Sequence, residues 1–161
     1  MKRISFLALI LAVAFSLNAY AALDTTSLME LRNKIFQESQ ALKPLLAESG
    51  SKDIILLNSM CDVSIMTMSQ LDAYFYMVGI FNSVKDSPGS AAAVGYLVKW
   101  LSEVKNGSDT NIKVLASITT PVEAGTTKHI QILSAYYTDL SKQLDAEINK
   151  IALLNKALKQ Q

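Results

Sequence analysis

The chain has 161 residues, half of them hydrophobic and 18% charged, with 15 basic against 14 acidic side chains, one histidine and one cysteine. A charge so near zero leaves no electrostatic footprint for nucleic acid and no polybasic attraction to anionic lipid. One cysteine makes an internal disulfide impossible, so the fold has to rest on packing.

The first element is a targeting segment. MKRISFLALILAVAFSLNAYA sets Lys2 and Arg3 before an uncharged apolar run from Ile4 to Leu17, with small residues at Ala19 and Ala21. This layout predicts a secretory signal peptide over residues 1–21, cut before Ala22, because the run is short for a bilayer span. The remaining 140 residues hold 13 basic and 14 acidic side chains, enough for a single domain over residues 22–161. The expected address is the bacterial periplasm or the medium beyond it.

Apolar residues recur every three or four positions through that domain and no stretch alternates with period two, which predicts an all-α chain. The first helix is expected over about 25–49, with a core stripe of Leu28, Leu31, Ile35, Leu42 and Leu45, and with Pro44 forcing a kink or an early end. The second, over about 53–86, starts from a Ser51 or Asp53 cap. Pro88-Gly89 then breaks the chain, and Ser90 is placed to cap a third helix over about 90–119. NGSD at Asn106–Asp109 has loop composition, yet Leu101, Val104, Ser108, Ile112 and Leu115 hold one helical register across it, so the helix is expected to continue. The fourth, over about 122–160, carries a regular seam of Ile130, Leu133, Tyr137, Leu140, Leu144, Ile151, Leu154 and Leu158. Four long amphipathic helices with short joints predict an up-down-up-down four-helix bundle.

The second helix is the unusual one. Met60–Phe81 is almost entirely sulfur-bearing, aromatic and aliphatic, with a narrow polar stripe of Asn58, Asp62, Ser69, Asp72, Tyr76 and Ser83. Two aspartates near its middle, at about 2.5 to 3.5 kcal/mol each, argue against a membrane span. The expected inner line is Ile54, Leu57, Cys61, Met68, Leu71, Phe75 and Val78. Flanking it, Leu56, Met60, Val63, Met77 and Ile80 make the apolar arc wider than one bundle face requires, which marks these five as a partner interface. Gly79 and Gly95 stand at similar distances from the Pro88-Gly89 turn, so with Tyr96 and Trp100 they are candidates for an apolar pocket.

Motif chemistry is sparse. No HExxH, C-x-x-C-H, Walker, GxGxxG or GxSxG pattern occurs, and His129 has Thr126 where a helical di-iron centre needs glutamate. No catalytic or metal-ligating set is assigned and no cofactor is expected. The residual cofactor-binding candidates are His129 and Met60, which an up-down topology puts at the same end as possible haem ligands. The sequence therefore predicts an exported, non-enzymatic bundle that works through protein contacts, by self-association or as an adaptor or chaperone-like binder. The alternative is a carrier or sensor of a small apolar ligand or noncovalent haem. Nucleic acid and a stable membrane span after processing are not expected.

Overall fold

The computed structural model describes residues 23–47, 52–85, 89–119 and 122–158. The expected signal peptide lies outside them, as do Gly50, Pro88 and Pro121 at the joints. Among the described residues every regular element is helical: α1 (Thr26–Ala47), α2 (Ile54–Val84), α3 (Ser90–Ala116) and α4 (Ala124–Leu158), with no strand.

Local chemistry accounts for the helix ends. The Asp24 carboxylate accepts from the Thr26 backbone N–H at 3.0 Å and from its hydroxyl at 2.6 Å, satisfying a first-turn donor of α1. The helix runs through Pro44 as far as Ala47, so Pro44 does not stop it. Gly89, not Ser90, is the capping residue of α3: its φ of 98° is left-handed, a conformation glycine adopts without steric cost, and its carbonyl accepts from Ala92 at 3.0 Å. Through Asn106–Asp109 the helix is unbroken. Ser108 and Thr110 return their hydroxyls to the Val104 and Asn106 carbonyls, and Lys105 pairs with Asp109 one turn on at 2.7 Å, so the loop-forming side chains are bonded within the helix.

Each helix packs on its neighbours in the chain, and α4 also packs on α1. Named hydrogen bonds give the directions. Between α1 and α2, Arg32 grips Asp72 with two nitrogens at 3.0 and 2.8 Å, while the Cys61 thiol reaches the Ser39 carbonyl at 3.8 Å. Trp100 Nε1 donates to the Gln70 carbonyl at 3.0 Å, and Ser141 Oγ donates to Asp109 at 2.5 Å. His129 Nδ1 meets Glu38 Oε1 at 2.5 Å.

The apolar core includes Leu31, Ile35, Leu57, Leu71, Val94, Leu101, Leu140 and Ile151. Polar groups cross it between α2 and α4. Tyr74 donates to Glu147 at 3.1 Å, the Ser64 and Tyr137 hydroxyls lie 3.5 Å apart, and the Asp53 carboxylate accepts the Glu123 N–H at 2.8 Å. The numbering rises together on both helices in these pairs, so α2 and α4 share a direction.

Desolvation pushes both buried phenols up, with the Glu147 charge adding to it at Tyr74 and the Ser64 and Thr67 hydrogen bonds opposing it at Tyr137. A folded phenol that holds its proton more tightly than the unfolded one contributes stability in full below the ordinary value near 10 and loses it as pH climbs above that. Unfolding free energy should therefore fall above pH 10, by up to about 1.4 kcal/mol per pH unit for each such tyrosine. Urea titrations between pH 8 and 12 on the parent and Tyr74→Phe check this, and the variant should show the shallower fall.

Candidate functional site

The helix with the most apolar composition is also the one whose apolar side chains are least covered. Twelve large hydrophobic side chains are exposed among the described residues, and nine of them sit on two helices: Ile54, Ile55, Ile65, Met66, Tyr76, Ile80 and Val84 on α2, with Tyr96 and Val114 on α3. Ile55 is 80% exposed and Tyr76 75%. Across its 31 residues α2 has no lysine or arginine, and its only charges are Asp62 and Asp72. On α2 they interleave with the exposed Asp62, Ser69 and Asp72, and soluble proteins rarely leave this much large apolar side chain on one face in water.

Two hollows mark the α2–α3 face. The first, about 60 Å³, is lined by Leu56, Met60 and Val63 of α2, by Val114, Leu115 and Ile118 from the far end of α3 onward, and by Leu133 and Tyr137 of α4, with Ser59 and Asn111 as its polar members. The second, about 230 Å³ and shallower, is lined by Met77, Ile80, Phe81 and Val84 against Ala93, Tyr96 and Leu97. In the numbering of both helices the Trp100–Gln70 hydrogen bond stands between them.

These positions correct several sequence-based expectations. Met60 is buried at 4%, with the core, whereas Ile54, expected inside, is 41% exposed. The true inner line of α2 includes Met60, Ser64, Thr67 and Tyr74 beside Leu57 and Leu71. Ser64 and Thr67 concealed it, because their hydroxyls bond back to the Met60 and Val63 carbonyls at 2.8 and 2.9 Å and so enter the core already satisfied. All five expected interface residues line the two hollows, but Met60 is the floor of one and Leu56, Val63 and Met77 are half-buried; Ile80 alone is exposed. The expected pocket is also different. Tyr96 belongs to the second hollow, whereas a Cβ at Gly79 or Gly95 would meet nothing within 4 Å, so the glycines do not face one another, and Trp100 is held by Gln70 instead. Ile55, Ile65, Met66 and Val84 escaped the sequence reading because they interleave with Asp62, Ser69 and Asp72 on what looked like a polar stripe.

The two haem candidates sit in different surroundings. His129 is engaged by Glu38 between α4 and α1, both side chains largely covered, while Met60 lines the hollow on the α2–α3 side. Among the described residues no three His, Cys, Asp or Glu side chains converge as a metal site. Burial raises the Cys61 thiol, and the neighbouring Asp62 charge adds to this, which makes it a poor nucleophile. Compared with known proteins, the chain matches no family profile, no curated sequence and no solved structure.

The contrast between Met60 and Met66 is measurable. Met60→Glu buries an unpaired carboxylate and should destabilise the chain by about 3 kcal/mol or more, whereas Met66→Glu should stay within about 0.5 kcal/mol. Urea unfolding followed by circular dichroism at low protein concentration separates the two.

Proposed function

We propose that this chain is an exported, non-enzymatic protein, an up-down-up-down four-helix bundle, that acts by contact with other protein chains through its α2–α3 face. The bundle reading is supported by the opposed numbering of the α1–α2 bonds and the shared direction of α2 and α4. Export rests on the leader-like residues 1–21. A single observation carries the functional part: nine of the twelve exposed large hydrophobic side chains gather on two adjacent helices, one of which has no basic residue.

A carrier of an apolar ligand or haem draws less support. The two hollows of the α2–α3 face, about 60 and 230 Å³, are smaller than the roughly 300–1,000 Å³ of small-molecule sites, and a third of about 490 Å³ beside Leu115, Ile130 and Thr138 is wide open to solvent rather than enclosed. The first has room for one side chain of a partner, and the only histidine is already paired.

Two measurements test the proposal. Export predicts that the intact mass of the secreted chain begins at Ala22; a full-length chain retained in the membrane would refute it. Contact through α2 and α3 predicts that a photo-crosslinking residue in place of Met66 captures protein in intact cells, while one in place of the exposed Gln143 on α4 does not. Equal capture at both positions, or none at 66, removes the functional reading.

A further inference from the structure

The α2–α3 face has a regularity that does not depend on how apolar it is. Met60, in the first hollow, and Ile80, in the second, each stand ten residues from Gln70, whose carbonyl receives the Trp100 indole N–H. At 1.5 Å per residue the hollows lie about 15 Å to either side of that contact. A two-fold axis lying across α2 at Gln70 would therefore set the first hollow of one copy over the second hollow of another. Such an axis makes the interface isologous, so that whatever residue i meets, its equivalent meets in return.

We propose that the occupant of this face is a second copy of the same chain, packed α2 on α2 in opposite senses about an axis at Gln70. The proposal rests on the α2–α3 face being a protein-contact surface and names its partner. Area favours it: the nine exposed apolar side chains present on the order of 900 Å², against about 800 Å² per partner in a standard interface. Charge favours it too. α2 brings no cation and only two carboxylates, and Asp72 is already held by Arg32 of its own chain, so it needs no counter-charge from the second copy. The register sets the remaining carboxylate, Asp62, near Tyr76 of the second copy, whose hydroxyl can donate to it. The same register sets Ile55 of one copy opposite Val84 of the other, exposed apolar side chain against exposed apolar side chain.

The mature chain from Ala22 should sediment as a dimer at micromolar concentration, and Met66→Glu combined with Ile80→Glu should weaken the assembly by about 100-fold or more with helix content unchanged, since both residues are exposed. The axis has its own readout in a Cys61→Ser background. Under mild oxidation Ser69→Cys, one residue from the axis, should crosslink to itself. Ile55→Cys should not, yet it should crosslink to Val84→Cys when the two variants are mixed. A parent that is monomeric at several hundred micromolar overturns the proposal, as does an undiminished dimer in the double variant or self-linking of Ile55→Cys as ready as that of Ser69→Cys. If the chain is monomeric while position 66 captures other proteins in cells, only the second copy is wrong; if position 66 captures nothing, the contact reading beneath it falls as well.

Discussion

The rest of the structure depends on one constraint: α2 is apolar around more of its circumference than its neighbours cover. A helix of 31 residues whose only charges are two aspartates has no polar face of ordinary width to turn to water. Packing uses the arc from Leu57 through Met60 and Ser64 to Tyr74 and Val78, and α1 and α3 cover its flanks. Beyond those flanks apolar residues are still present. The exposed isoleucines of α2, its Met66 and the two hollows beside α3 are thus one phenomenon, a surplus that four helices of one chain do not absorb. Charged surface lies elsewhere: Lys142 and Asp139 on α4 form an exposed pair in water.

With so much undifferentiated apolar surface, a core could settle in several rotations of α2, and buried polar groups restrict the choice. Turning α2 by one residue would pull Tyr74 from Glu147 and Ser64 from Tyr137, leaving the Glu147 carboxylate without its phenol donor and the Tyr137 hydroxyl without its α2 partner in a low-dielectric interior. Such unmade bonds cost about 1–3 kcal/mol each, more for the charge, whereas exchanging one aliphatic contact for another costs little. Glu38 with His129, and Asp53 with the Glu123 amide, apply the same restriction where α4 begins. Hydrophobic burial holds the helices together, and these crossings fix which face of each is inward.

That division explains what was legible in the sequence. Helix number and approximate extent followed from periodicity, and the unbroken α3 followed from Ser108 keeping the register of Leu101 and Leu115 through a loop-like composition. The rotation of α2 did not follow, because a serine and a threonine that bond to their own backbone look polar in a list of residues and behave as core in a helix. Glu147 was missed too: it occupies a seam position of α4 between Leu144 and Ile151, and its meeting with Tyr74, 73 residues away in the chain, together with Lys150 at 3.6 Å from its other oxygen, accounts for a buried carboxylate there. The outer apolar residues were hidden by the opposite error, in which Asp62 and Asp72 lent their polarity to a stripe that also holds Ile55, Ile65, Met66 and Val84.

The surplus on α2 has a second physical outlet besides a protein partner. By length and composition this helix could cross a membrane, with a mean hydropathy of 1.3 over an 18-residue window. Composition cannot separate the two outcomes, but the placement of charge bears on them. In a bilayer Asp62 and Asp72, about 15 Å apart along the helix, would both lie within the hydrocarbon, at up to about 2.5 to 3.5 kcal/mol each, and Asp72 would also leave the two-nitrogen grip of Arg32. The crossings from Tyr74 to Glu147 and from Ser64 to Tyr137 would be broken in the same step. Docking against another protein keeps every one of these bonds, because both aspartates stay at the surface of α2, where a partner's hydroxyl or water can reach them. The geometry that fixes the rotation of α2 thus also favours covering its outer face in place over removing the helix from the fold.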